Sequence, residues 1–309
     1  MFVDVVIAFF VLGIVASVVK SNLDFPNGLY QSLSIFLMIA IGLKGGIALS
    51  EHASSEIIWQ SLAVILFGFI LPLIAYPILK FFGGLDKQDC ASIAAHYGSV
   101  SVGTYAVAIA VLESQNISYE AYFPLFVVLL EAPAIAVGIA LADRNLLKNS
   151  QKLIHEIFTS QAILLLAGGL LIGAIFGSKT ESILPLFKEL FHGVLALFLL
   201  KMGMTAGTKI KDLKTSGLFI LAFGIFMPLI GAISGASLAV LLNLSTGGII
   251  LLAVLGASAS YIAVPAAMAM ALPKANHGLS ITASLAVTFP FNVIIGIPVY
   301  VGVIQWLTN

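Results

Sequence analysis

Two interrupted apolar segments, at matching places in the two halves of the chain, constrain its fold more than any other feature. The first runs Ala94-Ala-His96-Tyr97-Gly98-Ser99-Val-Ser101-Val-Gly103-Thr104. The second runs Leu255-Gly256-Ala-Ser258-Ala-Ser260-Tyr261-Ile-Ala-Val-Pro265. Each sets a Ser-x-Ser beside glycines in the middle of a stretch otherwise apolar enough to cross a bilayer. Hydrocarbon offers no water to a freed backbone N–H or C=O, so a break survives only where protein or a protein-lined cavity surrounds it. A glycine- or proline-interrupted segment at corresponding positions of two repeats points to a binding site at the bilayer midplane.

The membrane setting follows from composition. Of 309 residues, 60% are hydrophobic and 9% charged, against about 25% charged in an average soluble domain. A formal net charge of +0 suggests neither nucleic acid nor an acidic partner. A single cysteine, Cys90, excludes an intrachain disulfide. The first residues carry Asp4 and no basic cluster before the apolar run, so no cleavable signal peptide is expected.

A span needs about 20 apolar residues. Candidates lie near 2–20, 28–50, 57–82, 88–112, 120–142, 159–177, 184–205, 216–242, 247–272 and 278–307. With the N-terminus outside, the inner side holds Lys20, Lys80, Lys87, Arg144, Lys148, Lys152, Lys209, Lys211, Lys214 and Lys274, and the outer side only Lys179 and Lys188. The positive-inside rule therefore predicts both termini outside and a cytoplasmic linker at 143–158, in a multi-pass protein of the cell's inner (plasma) membrane. The linker divides the chain into five spans (1–142) and five spans (159–309).

Three echoes relate the halves. Ile41-Gly-Leu-Lys44-Gly-Gly-Ile-Ala-Leu49 matches Met202-Gly-Met-Thr-Ala-Gly-Thr-Lys-Ile210. Gly98-Ser-Val-Ser101 matches Gly256-Ala-Ser-Ala-Ser260. Leu130-Glu131-Ala-Pro133 with Gly138 matches Thr288-Phe-Pro290-Phe-Asn292 with Gly296. All keep one order and an offset of about 160 residues. An odd number of spans per repeat forces opposite insertion. The expected fold is an all-α polytopic membrane protein: ten transmembrane helices as two inverted five-helix repeats with discontinuous helices.

If each helix restarts after its break, two helix N-termini converge on the centre and favour an anion. Ser99, Ser101, Thr104, Ser258 and Ser260 can donate hydroxyls to that anion or hold a small cation through their oxygens. The alternative is that small residues merely let helices pack closely. Glu131 stands mid-span, where an ionisable group costs at least about 2.5 kcal/mol and marks an ion pathway by default. Pro133 frees a backbone carbonyl nearby. A carboxylate with free carbonyls suits Na+ or H+ coupling; the alternative is a structural pair with a lysine. Asn292 supplies a neutral oxygen close to the matching place in the second half. Lys44 could neutralise Glu131, attract an anion or snorkel to an interface; Lys201 could snorkel too. His96 is a candidate beside the first break, whereas His52, His155, His192 and His277 read as bystanders.

Several function classes are disfavoured. The sequence has no HExxH or CxxC spacing, no Walker A loop and no hydrolase nucleophile elbow. An enzyme is not expected, and ATP does not drive the chain directly. No uninterrupted polar stripe suggests a passive channel.

Longer strings carry a resemblance. Gly256-Ala-Ser-Ala-Ser-Tyr-Ile-Ala-Val-Pro-Ala-Ala-Met-Ala-Met-Ala-Leu-Pro-Lys-Ala-Asn276, Gly98-Ser-Val-Ser-Val-Gly-Thr104, Leu112-Glu-Ser-Gln-Asn-Ile-Ser-Tyr-Glu-Ala121 and Thr288-Phe-Pro-Phe-Asn-Val-Ile-Ile-Gly-Ile-Pro298 resemble the sodium-dependent bicarbonate transporters of cyanobacteria and other bacteria. The resemblance covers nearly the whole chain. It implies a moving core domain beside a gate or scaffold domain, a homotrimer, and elevator-like Na+/bicarbonate symport. It places bicarbonate at Gly98, Ser99, Ser101, Thr104, Ser258 and Ser260. Two departures fall at the expected Na+ site, for which Glu131, Tyr261 and Asn292 are the candidates. Family members with Ser-Asp after the second break contrast with Ser260-Tyr261 here, and Asp-Ile-Pro is replaced by Glu131-Ala-Pro. Photosynthetic members also carry a long cytoplasmic insert and bind a nucleotide-sensing PII-like protein; the short linker here weighs against that partner. The other expectations compatible with this architecture are Na+-coupled transport of another small carboxylate and Na+/H+ antiport through Glu131.

Overall fold

The computed structural model describes residues 5–52, 54–143, 145, 155 and 157–308, without the side chains of 27, 52 and 210–216. Most of the expected linker at 143–158, with Arg144, Lys148 and Lys152, lies outside the described residues.

Every described element is helical. In the first half, α1 is Val5–Val18, α2 Asn27–His52, α3 Ser55–Phe81, α4 Lys87–Gly98, α5 Val102–Ser114 and α6 Phe123–Ala142. In the second half, α7 is Gln161–Phe176, α8 Phe191–Lys209, α9 Gly217–Leu241, α10 Thr246–Ala257, α11 Ala263–Ala271 and α12 His277–Thr308. Gly217 separates α8 from α9 with φ +84°, a left-handed conformation open to glycine at no steric cost. Eight described stretches are long and apolar enough to cross a membrane, counting α4 and α5 as one. The helices α1 and α10 are apolar but shorter. The expected segments thus coincide with helices or helix pairs, and the two expected breaks fall between α4 and α5 and between α10 and α11.

Glycine decides which helices meet. A side chain at Gly13 of α1 would overlap Leu200 and Gly203 of α8, and one at Gly207 would overlap Ser17. Side chains at Gly42 and Gly46 of α2 would overlap Leu166 and Leu170 of α7, where Gly169 and Gly173 face them. Without a hydrophobic force between helices in lipid, such close backbone approach supplies the packing. The helices α1, α2, α7 and α8 thereby form one group. A second group builds around α3 and α9. In it Gly68 of α3 meets Leu130 and Pro133 of α6, while Gly224 of α9 meets Val287 of α12. The same helices carry the breaks: Gly98 packs on Pro72 of α3, and Gly256 on Gly231 of α9.

Within α12 the sequence gives no warning of two π-helical turns, Thr282–Thr288 and Asn292–Gly296. Each ends two residues before a proline, Pro290 or Pro298. Proline has no N–H to complete the i→i−4 ladder, so the chain widens there. The two turns bury Thr288 and Asn292, and Asn292 reaches the second break at Ala257.

Candidate functional site at the crossing of two broken helices

The helix α4 ends at Gly98, and Ser99 (φ −95°, ψ 178°) and Ser101 (φ −108°, ψ 113°) are extended before α5 begins. The helix α10 ends at Ala257, Ser258 is extended (φ −83°, ψ 163°), and α11 begins at Ala263. The two extended stretches cross and exchange hydrogen bonds. Ser101 N–H donates to Ser258 Oγ at 3.0 Å. Ser260 N–H donates to the His96 carbonyl at 2.8 Å. His96 Nδ1 lies 2.6 Å from the Ser260 carbonyl, whose lone pairs require the ring nitrogen to donate. His96 thus locks the two breaks together, a role the sequence alone left open.

The serines close the helix ends. Ser101 Oγ accepts from Thr104 N–H at 3.1 Å and from Thr104 Oγ1 at 2.9 Å, capping α5. Ser260 Oγ accepts from Val264 N–H at 3.4 Å at the start of α11. Ser258 Oγ donates to the Leu255 carbonyl at 2.9 Å. Ser99, Ser101, Thr104, Ser258 and Ser260 are all at most 3% exposed. The expected anion-binding residues are therefore brought together, with their hydroxyls engaged by Glu131, by backbone groups and, for Ser101 and Thr104, by each other.

Glu131 lies at 1% exposure and receives the Ser99 hydroxyl on Oε2 at 2.6 Å. Its side chain makes no ion pair with a described lysine or arginine. Lys44, which could have neutralised it, instead pairs with Glu113 and Tyr119. Lys201 reaches the Phe25 carbonyl at 3.5 Å beside the Phe25 ring, consistent with snorkelling to a helix end. Asn292 donates through Nδ2 to the Ala257 carbonyl at 2.7 Å, and its Oδ1 accepts from the Tyr300 hydroxyl at 3.2 Å. The Tyr261 hydroxyl is buried against Gly103 and Ser101 at the start of α5, outside hydrogen-bonding geometry. The three Na+ candidates thus each border a break, but no hydrogen bond joins them. Residues missed in the sequence include Tyr97, whose hydroxyl lies 2.6 Å from Thr288 Oγ1, which itself donates to the Gly224 carbonyl at 2.7 Å.

Among the described residues no group of three or more His, Cys, Asp or Glu side chains could hold a metal ion. The available oxygens are hydroxyls, amide and backbone carbonyls and one carboxylate, a hard set suited to an alkali cation. A cavity of about 10 Å3 lies where the two restarted helices face α2 and α8, between Val102, Gly103, Ile262, Ser34, Leu37, Met38 and Phe198. That is room for about one water.

Two broken helices that cross in the interior of a polytopic helical protein, with helix N-termini at a small cavity between two helix groups, form an arrangement suited to membrane transport. The model of the Na+-dependent bicarbonate transporter superfamily matches residues 5–305, and the chain belongs to that family. No curated protein matches the chain.

Proposed function

We propose that the chain performs Na+-dependent bicarbonate symport by an elevator-like movement of the α3–α6 and α9–α12 group against α1, α2, α7 and α8. The observation that carries this reading is the crossing itself: two helix N-termini reach one cavity, and the first break holds a buried carboxyl with no cationic partner among the described residues. The first-turn N–H groups of α5 and α11 favour a small anion. Glu131 and the break carbonyls favour a small cation, with Tyr261 and Asn292 as further oxygens. Bicarbonate binds between the breaks, at Gly98, Ser99, Ser101, Thr104, Ser258 and Ser260, once the cavity at Val102, Gly103 and Ile262 widens. The serines exchange their mutual hydrogen bonds for bonds to the anion.

The inverted-repeat reading draws support from the glycine contacts, while ten crossings and both termini outside rest on hydropathy and on the lysine and arginine distribution. Gly42 and Gly203 lie at corresponding places, and each meets the first helix of the opposite half. Moving one elementary charge through 100 mV is worth about 2.3 kcal/mol. A one-to-one symport of Na+ with a monovalent anion moves no net charge, so the chemical Na+ gradient supplies the drive. Trimeric assembly in the inner membrane completes the reading; the short linker leaves little for a PII-like protein to bind.

Coupling requires that each solute raise the other's affinity by the same factor. The purified protein is expected to bind bicarbonate at least about fivefold more tightly in Na+ than in K+ at fixed pH and ionic strength. Microcalorimetry or thermal-shift titration measures this, and equal affinity in both cations contradicts the symport reading.

A further inference from the structure

A cavity of about 440 Å3 has no part in the crossing. It lies between the two helix groups. The helix α2 contributes Lys44 and Glu51, α5 contributes Tyr105 and Glu113, and Lys188 and His192 close it near the start of α8. Its remaining walls are mainly apolar. Inside it, Lys44 Nζ donates to the Glu113 carboxylate and, at 3.0 Å, to the Tyr119 hydroxyl oxygen. Tyr119 donates to the same carboxylate oxygen at 2.9 Å, and His192 Nε2 lies 3.6 Å from the other. Burial pushes the Tyr119 phenol up to about 12, so it remains a protonated donor.

Two observations tie this cavity to the crossing. Tyr105 lines it with a fully buried hydroxyl that has no hydrogen-bond partner. A buried orphan hydroxyl is costly and is normally satisfied by water or ligand. The second observation is proximity. Tyr105 and Gly103 on α5, and Ile41 and Met38 on α2, line the large and small cavities respectively, each pair within one helical turn.

We infer that this cavity is the vestibule of the transport site, and that Lys44 and Tyr105 form a first, transient site there for a small monovalent oxyanion. Glu113 is the exchangeable counter-ion. An arriving anion takes its place on Lys44, while the displaced carboxylate keeps Tyr119 and turns to His192. Apolar walls focus the ammonium's field. The balance of Lys44, Lys188 and His192 against Glu51 and Glu113 keeps the anion from being held too tightly to move on. The vestibule opens at the membrane face that the lysine and arginine distribution assigns to the outside. The inference rests on the anion-transport reading above.

The test compares reconstituted full-length variants. Lys44→Gln should raise KM for bicarbonate about tenfold, with kcat changed less than about twofold. Lys44→Arg should largely restore KM. Glu113→Gln should lower KM, because it removes the competitor for Lys44. A purely structural ion pair would shift both neutral variants the same way; KM raised in both, or changed in neither, overturns the inference. A second measurement needs no transport. On the purified protein, bicarbonate should slow acylation of Lys44 by a water-soluble amine reagent more than chloride does at equal ionic strength. The slowing should be stronger in Glu113→Gln. Absence of protection overturns the vestibular site. Protection together with no bicarbonate uptake by the wild-type protein keeps the site and discards the transport reading.

Discussion

The double variant Ser99→Ala with Ser258→Ala is expected to take up bicarbonate no faster than empty vesicles, while still folding. Each hydroxyl stands at one break: Ser99 donates to Glu131, and Ser258 accepts from Ser101 N–H. Loss of the second leaves a buried N–H unpaired, at a cost of about 1–3 kcal/mol. Loss of the first removes the hydroxyl that donates to Glu131. The thermal midpoint should therefore fall, but the helix contacts built on Gly13, Gly46, Gly203 and Gly231 do not involve these hydroxyls. Uptake should fall much further than stability, because two of the groups that face the anion are gone. Ser258→Thr, which keeps the hydroxyl, should retain part of the activity. Normal uptake by the double alanine variant would show that the breaks serve packing alone.

Replacing Glu131 by glutamine should abolish the Na+ dependence of uptake without lowering the melting temperature. The amide oxygen can still accept from Ser99, so the hydrogen bond of 2.6 Å is preserved in kind. What disappears is an ionisable carboxyl at 1% exposure with no ion-pair partner among the described residues. A structural carboxylate that lost its charge would leave a basic partner stranded, typically costing 3–5 kcal/mol. Among the described residues no such partner is present, so the substitution is expected to be neutral or stabilising for the fold. Loss of the carboxyl is felt when a cation should bind. Uptake in Na+ is expected to fall at least about 100-fold, equivalent to about 2.7 kcal/mol, to the rate seen in K+. Unchanged Na+ stimulation in this variant would move the ion site to other oxygens, such as those near Asn292 and Tyr261.

Much of this arrangement was legible in the residues, for physical reasons. Glycine and serine interrupting a long apolar stretch leave few explanations in a membrane, so the breaks at Ser99–Ser101 and Ser258–Ser260 fell where the sequence placed them. Glu131 stood out because charge is scarce in such spans. What could not be read was pairing across the chain. Lys44 and Glu113 lie 69 residues apart, with no periodicity to link them, and the residues alone offered Lys44 only Glu131, an anion or an interface. His192, read as a bystander, lies in the first turn of α8 with its Nε2 3.6 Å from Glu113, a proximity across the fold that the chain order does not reveal. His96 was ambiguous because a histidine can pack, bind or bridge, and only the fold brings the Ser260 carbonyl to its ring. The π-helical turns were invisible in hydropathy, although the prolines at 290 and 298 mark the places where the ladder loses a donor.

Labelled bicarbonate uptake into proteoliposomes, with an inward Na+ gradient set against an equal K+ gradient at fixed pH, tests the central claim most directly. The account predicts saturable uptake that requires Na+ and is independent of membrane voltage under one-to-one coupling. Uptake equal to that of empty vesicles in both gradients would contradict it, and other small carboxylates and Na+/H+ exchange through Glu131 would then become the activities to measure.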